Sequence, residues 1–152
     1  MIKHNGMWFY GLSGVGKTYL SKIIYKNIKS SLLIDGDIVR KYISTDLDYS
    51  KASRNIQLKR IFGISKIAIN SNIFPIISSV WMNEEISELC KKENILLLKI
   101  EREMKEIMNS HKTYQENKKN VVGVDILYEN FESLTYKNDT NKEFWDFIKT
   151  QL

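Results

Sequence analysis

The sequence predicts an α/β domain of three layers, in which helices cover both faces of a mostly parallel sheet of four or five strands. Two observations lead to this prediction. Short apolar runs alternate with longer amphipathic stretches, as in successive βαβ units. A glycine-rich loop follows the first apolar run and precedes a helical pattern, which is the setting of a phosphate-binding loop. A length of 152 residues fits a single domain over 1–152.

The elements follow from the pattern in chain order. We expect strands at residues 7–10, 31–34, 73–78, 95–100 and, from a weaker pattern, 133–136. We expect helices at residues 17–29, 51–70, 83–92 and 141–149, the first of which has isoleucines at helical spacing. Pro75 is unusual in the third strand, because proline cannot donate a hydrogen bond to a neighbouring strand. The polar segment 109–120 lacks periodicity and reads as a mobile surface segment.

Charge and cysteine content narrow the classes of partner. The net charge of +5 comes from lysines scattered along the chain, which favours anionic small molecules at least as well as nucleic acid. Cys90 has no partner for an internal disulfide, and no segment reads as a signal peptide or a membrane span. We therefore expect a cytoplasmic protein with no nucleic-acid or membrane partner. A homodimer is left open.

The first motif with chemical content is "GLSGVGKT", which fits the pattern G-x-x-x-x-G-K-[ST]. Because it joins a predicted strand to a predicted helix, its amide groups and the helix N-terminus can converge on phosphate oxygens. The pattern predicts a P-loop NTPase-type domain that binds the phosphates of a nucleoside triphosphate, with Lys17 reaching the β- and γ-phosphates and Thr18 binding Mg²⁺. The phosphate-binding residues are Gly11, Ser13, Gly14, Val15, Gly16, Lys17 and Thr18.

The second motif, "LLIDGDIVR", places two carboxylates at the end of the second predicted strand. Ligands bind at the carboxyl ends of parallel strands, so Asp35 and Asp37 should lie near the phosphate loop, with Gly36 forming a tight turn between them. Either carboxylate could accept a proton from an attacking hydroxyl or hold Mg²⁺ through water. Arg40 and Arg54 then suit a phosphorylated acceptor.

Four runs together resemble the adenylylsulfate kinase family, over about residues 7–130. They are "GLSGVGKT", "LLIDGDIVR", "DLDYSKASR" and "KNVVGVDILYE". The resemblance implies a kinase that uses ATP and Mg²⁺ to phosphorylate the 3′-hydroxyl of a nucleotide carrying a second anionic group, with Asp37 or Asp35 as the base and 109–120 as a lid. The residues expected at the acceptor are Arg40, Arg54, Lys59, Ser79, Trp81, Lys119, Val122 and Asp125.

The departures from the family pattern lie mainly on the acceptor side. The family's usual F-I-S-P-Y-R is replaced by "SVWMNEE", and the lid is shortened so that Lys112 and Tyr114 are its nearest remaining residues. The segment "SVWMNEE" and the run "KNVVGVD" resemble a branch of the family associated with capsule biosynthesis, whose acceptor is cytidine diphosphoramidate. We favour that acceptor over adenylyl sulfate. The alternative is a regulatory subunit that binds ATP without turnover. A GTPase is disfavoured because "KNDTNK" lacks the order N-K-x-D, and nucleic-acid binding has only the net charge in its favour.

Overall fold

A computed structural model of the chain describes residues 1–110, 112–115, 118–139 and 143–152. These residues form a five-stranded sheet in the order β2-β3-β1-β4-β5, and every registered strand pair is parallel. The strands are β1 (Gly6–Tyr10), β2 (Ser31–Asp35), β3 (Phe74–Ser79), β4 (Ile95–Glu101) and β5 (Leu134–Lys137). All five predicted strands are therefore present, and the predicted fold class is confirmed.

The helices lie between the strands and after the last one. They are α1 (Lys17–Asn27), α2 (Gly36–Tyr42), α3 (Lys51–Asn70), α4 (Glu84–Lys92), α5 (Met104–Ser110), α6 (Lys112–Gln115) and α7 (Phe144–Ile148). The predicted last helix is shorter than expected, and its residues 141 and 142 lie outside the described part of the chain. In that part, no helix combines the length and the apolar character that a bilayer span requires.

Alternating strand residues build one hydrophobic core on each face of the sheet, because successive side chains of a strand point in opposite directions. Met7 and Phe9 of β1 are buried on one face with residues of α1, α5 and α7. Trp8 and Tyr10 are buried on the other face with residues of α2, α3 and α4. Both faces are thus covered by helices, which makes the three predicted layers.

Pro75 is compatible with β3 although that strand lies between β2 and β1. Phe74 donates its amide to the Ser30 carbonyl on the β2 side at 2.9 Å, so the nitrogen of the next residue faces β1. The registered β1–β3 pairing begins one residue later, at Met7 and Ile76. The missing N–H of Pro75 therefore lies just before the first pair of that ladder.

Helical structure occurs in two places where the sequence does not predict it. Gly36 does not form a tight turn but begins helix α2, because the Asp35 carboxylate accepts the Asp37 amide at 2.9 Å and caps the helix. Much of segment 109–120 is helical, in α5 and α6, while residues 111, 116 and 117 of the predicted lid lie outside the described residues. Helix-forming residues without glycine or proline between 103 and 115 account for these short helices.

Candidate active site

A cavity of about 620 Å³ opens at the carboxyl ends of β1, β2 and β3. This is the edge at which an open parallel sheet binds ligands. Its wall brings together most of the site residues predicted from the sequence, namely Ser13, Gly14, Gly16, Lys17, Thr18, Asp35, Asp37, Arg40, Arg54, Ser79, Trp81, Lys119 and Val122. Gly11 and Val15 complete the phosphate loop behind this wall, and Val15 is 1% exposed.

Lys17 is held close to the loop that precedes it. Its ammonium group donates to the carbonyl oxygens of Gly11 and Leu12 at 2.7 and 2.8 Å. Only 9% of the residue is exposed, and this burial lowers the pKa of Lys17 to about 8, opposed by the nearby carboxylates of Asp37 and Asp35. An ammonium group has three donors, so one remains to reach an anion in the cavity.

Asp35 and Asp37 lie two residues apart but have different surroundings. Asp35 accepts the Asp37 amide through one carboxylate oxygen and the Thr18 hydroxyl, at 3.3 Å, through the other. The Asp37 side chain is exposed and makes no hydrogen bond with the described residues. Asp35 is thus fixed between helix α2 and the phosphate loop, whereas the Asp37 carboxylate is available to a ligand.

Two arginines form the cationic wall of the cavity around Tyr49. The guanidinium group of Arg40 lies 4.4 Å from the centre of the Tyr49 ring, and that of Arg54 lies 5.5 Å from it. Arg54 donates to the carbonyl oxygens of Tyr49 and Asn120 at 3.0 and 2.9 Å, and burial followed by the Arg40 charge lowers the pKa of Arg54. Among the described residues, neither guanidinium pairs with a carboxylate. This wall is suited to an anionic ligand.

Gln57 and Tyr49 line the cavity although neither is among the predicted site residues. Gln57 is 5% exposed and donates through Nε2 to the Gly36 carbonyl at 2.9 Å. Its Oε1 atom is buried and has no hydrogen-bond partner among the described residues. Tyr49 occurs within "DLDYSKASR", which carries the family resemblance, whereas Gln57 has only its place after Arg54 on α3 as a signal.

The far end of the cavity contains Ser79 and Trp81. The Ser79 hydroxyl accepts from the Trp8 indole at 2.8 Å and donates to the Trp81 carbonyl at 2.7 Å. The Trp81 indole donates to Asn55 at 2.8 Å, and its ring stacks on Tyr128 with 5.7 Å between centroids and 10° between planes. Trp81 is 2% exposed, so it forms part of a rigid wall.

The motif "GVDILYE", residues 123–129, supports this wall through hydrogen bonds and ring stacking. Asp125 accepts the Val121 amide at 3.0 Å and closes a turn, and Tyr128 donates to the Val80 carbonyl at 2.5 Å. The Glu129 carboxylate accepts the Glu84 amide at the start of α4 at 2.9 Å. The structure does not bring Asp125 to the cavity wall, because its carboxylate is used within this turn.

Lys59 is the other predicted acceptor residue that does not line the cavity. It is on the exposed side of α3 and pairs with Glu85 at 3.0 Å. In the lid segment, Tyr114 packs against the core beside β1, and its hydroxyl lies at the Ser13 backbone. Burial raises the pKa of Tyr114, and the Ser13 backbone opposes that shift. Through Tyr114, segment 109–120 therefore contacts the phosphate loop.

Comparison with known proteins gives a consistent assignment. The profile described as adenylylsulphate kinase matches residues 3–134. An adenylyl-sulfate kinase of Buchnera aphidicola from Schizaphis graminum is 30% identical over 90% of this chain and 75% of its own length. Its counterpart from the Acyrthosiphon pisum strain is 35% identical over 59% of this chain, and the match spans only 48% of that protein.

The solved structures agree on the fold. The APS kinase of Mycobacterium tuberculosis, in complex with AMPPNP and APS, superposes with a TM-score of 0.78 and 20% identity over 97% of this chain and 96% of that one. Such an identity establishes the fold alone, while the profile covers most of the chain. The chain belongs to the adenylylsulphate kinase family.

Proposed function

We propose that this protein transfers the γ-phosphoryl group of ATP to the 3′-hydroxyl of adenylyl sulfate. The observation that carries the proposal is the composition of one cavity. Lys17 and Thr18 of the phosphate loop, the Asp37 carboxylate and the Arg40 and Arg54 guanidinium groups all line it. A phosphate donor and an anionic acceptor bound on these two sides would meet beside a carboxylate.

The donor side has groups that fit Mg²⁺-ATP. The Thr18 hydroxyl and the Asp35 carboxylate lie 3.3 Å apart on the cavity wall, and magnesium is held by such oxygens together with phosphates and water. Bound Mg²⁺ would neutralise charge on the β- and γ-phosphates. Lys17 contributes the donor that it does not use on the Gly11 and Leu12 carbonyls.

We assign the base to Asp37. Its carboxylate has no other described partner, whereas Asp35 already caps α2 and contacts Thr18. In the reaction, the acceptor oxygen forms a bond to the γ-phosphorus and the bond to the β–γ bridging oxygen breaks. The hydroxyl proton passes to Asp37.

The acceptor side has a cationic wall, an aromatic ring and a buried acceptor atom. Arg40 and Arg54 can donate to the anionic groups of the nucleotide, and Tyr49 offers an exposed ring beside them. A buried carbonyl oxygen without a partner costs about 1–3 kcal/mol. The Oε1 atom of Gln57 would be stabilised by a hydroxyl or amino group of the acceptor.

The choice between two acceptors reverses the preference drawn from the sequence. Cytidine diphosphoramidate is favoured there because "SVWMNEE" and "KNVVGVD" resemble the capsule-associated branch. The relatives reported above are adenylyl-sulfate kinases and lend no support to that preference. We therefore place adenylyl sulfate first and cytidine diphosphoramidate second.

Release of ADP with each acceptor tests the proposal. Purified protein with Mg²⁺-ATP is incubated with adenylyl sulfate, cytidine diphosphoramidate or AMP, and the product is identified by mass. We expect turnover with adenylyl sulfate and its loss in Lys17→Ala. Faster turnover with cytidine diphosphoramidate would transfer the assignment to that acceptor. ATP binding without turnover of any acceptor would instead favour a regulatory subunit.

A further inference from the structure

Asn138 joins the end of the sheet to the phosphate loop. It follows β5, and its backbone amide donates to the Glu101 carbonyl at the end of β4 at 2.8 Å. Its side-chain amide donates to the Val15 carbonyl at 2.7 Å. The contact links residues 123 positions apart and is made at the most glycine-rich part of the loop.

The contact depends on the glycine that follows Val15. Gly16 has φ +96°, in the left-handed region, and a Cβ atom added there would lie 2.5 Å from Nδ2 of Asn138. A side chain at position 16 would therefore both strain the backbone and displace Asn138. The loop and Asn138 fit together only with glycine at this position.

Holding the Val15 carbonyl also orients an amide group. The peptide between Val15 and Gly16 is planar and trans, so its C=O and N–H point in opposite directions. Val15 is buried, whereas Gly16 lines the cavity. A hydrogen bond that fixes the carbonyl away from the cavity thus directs the Gly16 N–H toward it, as in the anion-binding concavities formed by successive amides.

We propose that Asn138 is a positioning residue for the nucleotide phosphates, acting through the Val15–Gly16 peptide plane. The inference rests on the proposed function in that the loop binds ATP. It assigns a role in donor binding to a residue outside the phosphate-loop motif. Because the fixed amide would contact phosphate in both the ground and the transition state, its loss acts on the affinity for ATP more than on kcat.

The test compares Asn138→Ala and Asn138→Asp with Thr135→Ala, an exposed position on β5, the strand that Asn138 follows. Aspartate keeps the shape of asparagine but replaces the donor with an oxygen that repels the Val15 carbonyl. Binding of AMPPNP is measured by calorimetry, and KM for ATP and for adenylyl sulfate is measured alongside. A lost hydrogen bond of about 1 kcal/mol predicts a Kd for AMPPNP about fivefold higher in Asn138→Ala and higher still in Asn138→Asp.

Thr135→Ala should stay within about twofold of the parent, and KM for adenylyl sulfate should not move in any variant. Unchanged AMPPNP affinity in both Asn138 variants would overturn the inference, as would equal losses for both substrates together with a lower Tm. If the parent protein does not bind AMPPNP, the proposed ATP-dependent function is wrong, and so is the role of Asn138 that rests on it. If the parent binds AMPPNP but no acceptor is turned over, the Kd of AMPPNP in the variants still tests the role of Asn138 in donor binding.

Discussion

At the scale of single residues, Asp35 and Asp37 show how two identical side chains two positions apart receive different surroundings. The backbone of α2 decides the difference, because its first turn directs the Asp37 amide onto Asp35. A carboxylate that caps a helix is already hydrogen-bonded and is held in one orientation. Its neighbour keeps the freedom to accept a proton.

Exchange of each aspartate for asparagine should separate these roles. Asp37→Asn removes the proposed base, so we expect kcat to fall by about 10²–10⁴ while the Kd of AMPPNP changes by less than about threefold. In Asp35→Asn the cap is kept, because asparagine is an equally good N-cap, but the charge next to Thr18 is lost. That variant should need more Mg²⁺ for half-maximal activity. The assignment would be reversed if Asp35→Asn lost more kcat without any change in its Mg²⁺ requirement.

At the scale of elements, the loop after residue 120 packs against the part of the cavity wall that contains Trp81. Tyr128 stacks on Trp81 and donates to Val80, so it holds the segment that follows β3. Glu129 joins the same loop to the first amide of α4 and to Lys51 at 3.2 Å. The motif "GVDILYE" therefore fixes the position of the segment that follows β3 and of the start of α4.

Two substitutions of Tyr128 test this reading. Tyr128→Phe keeps the stacked ring but leaves the Val80 carbonyl without its donor, so the free energy of unfolding should fall by about 1–2 kcal/mol. Tyr128→Ala also removes the ring and should cost about 3–5 kcal/mol. Urea unfolding measures both values, and KM for adenylyl sulfate should rise in the same order while the Kd of AMPPNP stays constant. An AMPPNP affinity that fell as much as the acceptor affinity would contradict the separation of the two sides.

The elements also show why the sequence predicts some features and not others. The strands are predictable because strands buried on both faces, such as β1 with Trp8 and Phe9, are continuous apolar runs. Helix α2 is missed because D-G-D is typical of a turn, whereas in the structure the Asp35 cap and the contact of Gln57 with the Gly36 carbonyl hold the segment in a helix. The Asn138 contact cannot be predicted, since it depends on which strand ends beside the loop. Asp125 has the residue type of a ligand, but a local turn uses its carboxylate.

At the scale of the whole molecule, the cavity wall has a local excess of positive charge. The cavity wall contains the cations Lys17, Arg40, Arg54, Lys118 and Lys119, against the carboxylates of Asp35 and Asp37. The whole chain carries a net charge of +5. The lysines far from the cavity add little to the electrostatic potential at the site. At physiological ionic strength, charges more than about 8 Å from a ligand are largely screened. Attraction of anionic substrates should therefore depend on the lysines near the cavity and not on the net charge.

A pair of charge reversals with the same change in net charge distinguishes these contributions. Lys119 is exposed and lines the cavity. Lys29 is exposed beyond the C-terminal end of α1, a helix about 16 Å long whose N-terminus is at the phosphate loop. We expect Lys119→Glu to lower kcat/KM for adenylyl sulfate by about tenfold at 50 mM salt and by less at 500 mM, because salt screens the repulsion. Lys29→Glu should stay within about twofold of the parent at both concentrations. Equal losses in the two variants would mean that net charge governs substrate capture, and no loss in either would mean that the arginines alone supply the attraction.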